Sequence, residues 1–231
     1  MRKFCLILIS TFMVIVVFAV PSHAYRMADY WAFNEGNIWI YDRDLEVMGA
    51  ETHNFGQYTG RQFLQAREFC NGQPYIYSGP EGVLAVGMYD FDTKQFKDLS
   101  ATPVKLSNAE MTIGDSVTNN FPAGVIDDNP ISIAITLEAV ETITVHAGTY
   151  SNTLRLRIFV NDGAGTYTEK VWLAKGIGAV QMYRASETNN TPGCFFTCGS
   201  FSCGSDILEE RYVKLKNFIK GKKGVVVIPL N

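Results

Sequence analysis

Ile131-Ser-Ile-Ala-Ile-Thr-Leu137 alternates an aliphatic residue with a small or polar one at every step. A strand turns successive side chains to opposite faces. This stretch therefore presents Ile131, Ile133, Ile135 and Leu137 to a core, and Ser132, Ala134 and Thr136 to the other side. A helix, with its period of 3.6, would scatter the same residues around its axis. Downstream, Leu154, Leu156, Ile158 and Val160 alternate with Arg155, Arg157 and Phe159. Asn161-Asp-Gly-Ala-Gly165 then supplies turn chemistry, because glycine tolerates the positive φ of tight hairpin turns. Tyr167, Glu169, Val171 and Leu173 continue beyond it, so the two runs read as one hairpin.

The pattern extends in both directions. Further strands are expected near Asn37–Val47, Arg61–Cys70, Gln73–Ser78, Gly82–Phe91, Pro103–Leu106, Leu137–Val145, Ala179–Glu187 and Glu209–Ile219. Gly, Asn, Asp and Pro punctuate them at short intervals, as in an antiparallel meander. Tyr212, Leu215 and Phe218-Ile219 also fit a short amphipathic helix, but the strand reading is preferred. The fold expected is all-β or nearly so. Lys175-Gly-Ile-Gly178 has neither the spacing nor the strand–helix setting of a nucleotide-binding loop, and reads as a tight turn.

The first residues carry an address. Arg2 and Lys3 precede an apolar run from Phe4 to Val20, interrupted only by Ser10 and Thr11. Pro21 breaks it, and Ser22-His23-Ala24 places small residues where a signal peptidase reads them. The run is short for a retained span, which usually needs roughly 20 apolar residues. Residues 1–24 are therefore expected to be a cleaved signal peptide, with residues 25–231 forming a single β-rich domain in the periplasm or outside the cell. Cys5 stands too early for a lipobox, and no cysteine lies at the new N-terminus, so acylation is not expected. Val225–Leu230 reads as a terminal strand, too short to span a membrane. Without Arg2 and Lys3 the chain keeps 18 basic residues against 23 acidic ones, a net charge near −5. That balance argues against a nucleic-acid partner.

Cysteine usage agrees with export. The expected mature chain keeps Cys70, Cys194, Cys198 and Cys203, an even number in an oxidising compartment, which implies disulfides with three alternative pairings. A four-thiolate zinc site is the rival, although structural zinc knuckles usually space their cysteines more tightly. Three of the four lie in residues 188–205, a stretch rich in Asn, Gly and Ser that reads as a tethered loop.

Candidate chemistry is sparse. His53 and His146 stand far apart, and His146 reads as a turn residue. Asp127-Asp128 and Glu209-Glu210 are adjacent pairs, which a strand splits between its two faces. No G-x-S-x-G announces a nucleophile. No catalytic, cofactor-binding or metal-ligating residue is assigned, and the protein is expected to be non-enzymatic and to need no cofactor. Aromatic residues say more. Trp39 and Tyr41 share one strand face, as do Tyr75 and Tyr77, and Trp172 lies in another strand. On a curved sheet these five could line a face for a lipid or another acylated or apolar ligand. The plainer reading is that they fill a β core.

Phe33-Asn-Glu-Gly-Asn-Ile-Trp-Ile-Tyr41 resembles the opening of an uncharacterised family of bacterial exported proteins. Glu141-Thr-Ile-Thr-Val-His-Ala-Gly-Thr-Tyr150, Leu154-Arg-Leu156 and Glu169-Lys-Val-Trp-Leu-Ala-Lys-Gly-Ile-Gly-Ala-Val180 resemble that family's second signature. The resemblance implies an antiparallel β half-barrel similar to periplasmic lipoprotein carriers, which hold acyl chains in a concave apolar sheet. It supplies no catalytic residues. Two functions are thereby set against each other. One is an exported binding module with an apolar or acylated ligand; the other is an envelope interaction protein without one.

Overall fold

In the computed structural model the residues described are 23–31, 37–41, 48–53, 56–58, 61–66, 72–90, 95–125, 129–161, 163, 165–186, 194–197, 200–203 and 211–220. They form an all-β, antiparallel structure, and its helical segments are the single 3-10 turns Met27–Asp29 and Gly56–Tyr58. In chain order the strands are β1 (Tyr25–Arg26), β2 (Ile38–Tyr41), β3 (Met48–His53), β4 (Arg61–Ala66), β5 (Gly72–Gly79) and β6 (Gly82–Asp90). There follow β7 (Gln95–Asp98), β8 (Val104–Ser107), β9 (Glu110–Met111), β10 (Ser116–Phe121), β11 (Ile131–Val145) and β12 (Gly148–Asn161). The last are β13 (Thr166–Ala174), β14 (Gly178–Ser186), β15 (Cys194–Thr197), β16 (Ser200–Cys203) and β17 (Arg211–Ile219).

The alternating stretch behaves as its period requires. Ile131, Ile133, Ile135 and Leu137 are all at most 2% exposed, and Leu154, Leu156 and Val160 are fully buried across the ladder from them. Ile133 faces Val160, Ile135 faces Ile158, and Leu137 faces Leu156. The expected hairpin is present, with Leu154 opposite Leu173 and Val160 opposite Tyr167. Two expected strands, 131–137 and 137–145, are one long β11. Register shifts after Leu137 and Glu141 mark bulges, which bend the strand and interrupt the clean alternation. Arg211–Ile219 is a strand and not a helix.

Among the described residues the larger sheet runs β10-β11-β12-β13-β14-β17-β2 with β10 and β2 at its open edges, a curved half-barrel meander. The smaller runs β3-β4-β5-β6-β7, with β8 also pairing β6. β6 explains itself chemically. Its run Val83-Leu-Ala-Val86 is apolar on both faces: Val83 and Ala85 join the large core, while Leu84 and Val86 join a second cluster with Tyr58, Tyr75 and Tyr77. A strand covered on both sides loses the alternation that marks a half-exposed one. Gly82 opens it at φ +121°, and a Cβ there would lie 2.1 Å from the Ser107 carbonyl oxygen of β8.

Several short strands escaped the sequence pattern. β1 pairs with β9, and β15 pairs with β16 inside residues 188–205, which were expected to form a loop. The loop reading fails because two short polar-flanked runs can pair with each other without an apolar alternation to announce them. His146 sits exposed in the turn between β11 and β12, as expected. Residues 1–22, Asp127-Asp128, Glu209-Glu210, Cys70, Cys198 and Val225–Leu230 lie outside the described residues.

One buried carboxamide joins the two sheets. Asn119 of β10 is 8% exposed. Its Oδ1 accepts the Lys105 backbone N–H at 2.7 Å, and its Nδ2 donates to the Lys105 carbonyl at 2.9 Å. The side chain thus completes the ladder of β8 as a neighbouring strand would. Asn119→Leu keeps the volume and deletes both bonds, stranding a backbone donor and acceptor. It is expected to lower the unfolding free energy by about 1–3 kcal/mol, read as a fall in urea midpoint at unchanged slope. A change within about 0.5 kcal/mol, the range of ordinary surface substitutions, would show the clamp to be dispensable.

Candidate functional site

The five aromatics selected from the sequence are all buried. Trp39 is 2% exposed, Tyr41 4%, Tyr75 7%, Tyr77 6% and Trp172 6%. They do not form one surface. Trp39, Tyr41 and Trp172 belong to the large cluster, Tyr75 and Tyr77 to the second.

Each has defined partners. The Trp39 indole N–H donates to the Ile177 carbonyl at 2.6 Å, and the Tyr41 hydroxyl donates to the Ala179 carbonyl at 2.9 Å. Both acceptors flank Gly178, whose φ of +99° lets the turn after β13 close beneath the indole. Phe218 of β17 packs against Trp39 with ring centroids 5.5 Å apart. Tyr77 packs on Tyr58 at 4.9 Å, and Tyr75 meets Phe96 edge-on at 5.6 Å. An apolar ligand on these rings would have to part contacts that the core already uses.

Trp172 leads to a different surface. A register shift falls between Trp172 and Leu173. Before it, Arg155, Trp172, Gln181 and Lys214 stand in one rung across β12, β13, β14 and β17. Arg157, Lys170, Tyr183 and Tyr212 form the next rung. Sequence reading missed this grouping, although Arg155 and Arg157 alternate with the aliphatic residues of β12. The missing information was which strands neighbour β13, because β17 reaches β14 only after an excursion of residues 187–210.

Charge and ring geometry hold the two rungs together. The Trp172 indole N–H donates to Glu141 Oε1, and Arg155 Nη1 lies 3.3 Å from the same oxygen. Glu138 pairs with Arg155 at 3.2 Å and with Arg157 at 2.8 Å. The Tyr183 and Tyr212 rings are 4.6 Å apart, Trp172 lies 6.4 Å from Tyr212, and Lys214 Nζ stands 6.0 Å from the Tyr212 centroid. Tyr212 is 46% exposed, so the aromatic row ends in solvent. Among the described residues, Arg155, Arg157, Lys170 and Lys214 stand in these rungs, with Glu138 and Glu141 paired to the arginines. Chemically the patch can stack, donate hydrogen bonds and pair with acidic groups. Among the described residues, no group of three or more His, Cys, Asp or Glu side chains could hold a metal ion. No helix there is long and apolar enough to cross a membrane.

Elsewhere, the Arg26 guanidinium, and after it the Lys175 ammonium, hold the Asp29 carboxyl below its usual range. Burial pushes the Tyr30 and Tyr150 hydroxyls up. Asp29 also accepts the Gly176 N–H through its carbonyl at 2.7 Å, which ties the N-terminal segment to the turn after β13.

No family model and no curated protein matches this chain. Two solved structures align with it. One is a candidate lipoprotein from Parabacteroides distasonis, 13% identical, with a TM-score of 0.35, covering 82% of this chain and 98% of that one. The other is a candidate exported protein with a YmcC-like fold from Bacteroides fragilis, 13% identical, with a TM-score of 0.34, covering 83% and 99%.

Glu141 is the acceptor on which the patch converges. Glu141→Gln keeps an oxygen for the Trp172 indole but removes the charge opposite Arg155, whereas Glu141→Ala removes both. The alanine variant is expected to lose about 1–3 kcal/mol of stability and to shift tryptophan emission. The glutamine variant should lose less than half as much. Equal losses would mean that charge, and not the indole bond, organises the site.

Proposed function

We propose that this chain is an exported, non-enzymatic interaction module of the bacterial envelope. Its contact surface is the aromatic and cationic patch around Tyr212, and the partner presents acidic groups. The observation that carries this reading is the row Trp172, Tyr212 and Tyr183, ending in a half-exposed tyrosine beside Lys214. Tyrosine, tryptophan and arginine in a pre-packed arrangement are the residue types that dominate the energy of protein interfaces. A partly ordered patch loses little side-chain freedom on binding. The apolar-ligand alternative draws on Trp39, Tyr41, Tyr75 and Tyr77, whose rings are engaged within two cores.

Export rests on the Arg2-Lys3, Phe4–Val20 and Ser22-His-Ala24 pattern. His23 and Ala24 are exposed and outside regular structure, and Tyr25 enters β1 directly. Cleavage after Ala24 would thus leave every described strand intact. N-terminal sequencing of the protein recovered from its own envelope is expected to begin at Tyr25. A chain beginning at Met1 in the integral membrane fraction would overturn the exported reading.

A photo-crosslinking residue at Tyr212 tests the surface in living cells, with the same residue at exposed Asn120 of β10 as the control. A discrete adduct at position 212, absent at 120 and weakened by Lys214→Glu, is the expected result. Fluorescent fatty-acid displacement on the purified domain should show no saturable binding. Saturable displacement that is lost on Trp39→Asp in a folded variant, with no adduct at 212, would establish the carrier function instead.

A further inference from the structure

We infer that Cys194 and Cys203 form a disulfide across the β15–β16 hairpin, which settles the pairing that the sequence left open among three. The inference rests on the exported reading for its oxidant and on backbone register for its geometry. Cys194 is the direct partner of Cys203, Phe195 of Ser202, Phe196 of Phe201 and Thr197 of Ser200. Two residues, Cys198 and Gly199, separate the strands. In a hairpin with a two-residue connection, the pair flanking the connection exchanges backbone hydrogen bonds, and the pairs then alternate outward. Thr197 and Ser200 therefore occupy a hydrogen-bonded site, Phe196 and Phe201 a non-hydrogen-bonded one, and Phe195 and Ser202 a hydrogen-bonded one. Cys194 and Cys203 fall at the next non-hydrogen-bonded site.

That parity matters. Opposed Cα atoms lie about 5.5 Å apart at hydrogen-bonded sites but about 4.5 Å apart at the others. Both spacings fall within the range of about 4.4–6.8 Å that a disulfide spans, but the non-hydrogen-bonded site also brings the opposed Cβ atoms closer, toward the separation of about 3.5–4.5 Å that the bond requires. One residue of slip would place Cys194 opposite Ser202 or Gly204. The hairpin is also not a free excursion, because β16 lies against β5 and β6 of the smaller sheet. It interrupts the chain between β14 and β17, which pair directly with each other. A covalent closure at its base keeps the insertion compact where no apolar alternation specifies it.

The reaction is dithiol–disulfide exchange. The Cys194 and Cys203 thiols each give up a proton and one electron in forming the S–S bond. A disulfide donor of the exported compartment takes both electrons and both protons, and leaves as a dithiol.

Peptide mapping of the full exported chain tests the pairing. Trypsin followed by chymotrypsin, without reduction and with free thiols first blocked, is expected to release one linked species that joins the Cys194 and Cys203 peptides. Cys194→Ser should then expose a single reactive thiol, located at position 203, with the labelling of Cys70 and Cys198 unchanged. Linkage of either residue to Cys70 or Cys198 in the parent protein would overturn the pairing. The full chain oxidised in a glutathione redox buffer separates this from the question of export. If the 194–203 link forms there but not in cells, the hairpin geometry stands and the exported reading fails. If it forms in neither, the pairing itself fails.

Discussion

The part-buried hydrogen bonds from Trp39 to Ile177 and from Tyr41 to Ala179 join β2 to the turn and strand that follow β13, segments 138 residues apart that no ladder pairs directly. β2 is the last strand of the larger sheet and pairs with β17 alone within it. An edge strand with one ladder is easily frayed, because half of its backbone groups face outward. Here two side chains on the same face of that strand reach past β17 to carbonyls at the start of β14. Each such bond contributes on the order of 1 kcal/mol net, and breaking one strands a buried carbonyl at greater cost. The contact also links Asn37-Ile-Trp-Ile-Tyr41 with Lys175-Gly-Ile-Gly-Ala-Val180, two segments that lie far apart in the sequence. Their composition follows from this fit. A tryptophan and a tyrosine are needed as donors, and glycine is needed where the turn adopts a positive φ beside the indole.

A second constraint acts at the opposite edge. β10 would expose its outer ladder, but Asn119 turns its carboxamide to the backbone of β8 and so couples the two sheets. The larger sheet is therefore anchored at both margins by side-chain bonds to backbone, with the aliphatic ladder of β11 and β12 between them. This division of labour has a physical basis. Hydrophobic burial is strong but non-directional, so it collapses the sheet without fixing its edges. The directional bonds select which collapsed arrangement persists.

The five aromatics named from the sequence are all buried. A half-barrel whose concave side received an acyl chain would need its rings to face an open space. Here the rings named from the sequence already meet other rings of the structure or backbone carbonyls. Charge and aromatic surface coincide instead on the rungs of Arg155, Trp172, Gln181 and Lys214 and of Arg157, Lys170, Tyr183 and Tyr212.

The sequence by itself determined the all-β class, the hairpin of β12 and β13, and the core face of β11, because period-2 alternation survives wherever one face is buried and the other is not. Glu169 belongs to the run that continues beyond the turn, and only the structure shows it 6% exposed opposite Ile158. The sequence could not locate β15 and β16, whose pairing depends on local register, nor recognise β6 as buried on both faces. The clustering of Tyr212 with Trp172 and Tyr183 was decided only by tertiary structure. Those residues become neighbours through the β13–β14 and β14–β17 ladders, and no periodicity within one strand encodes which strand lies beside it.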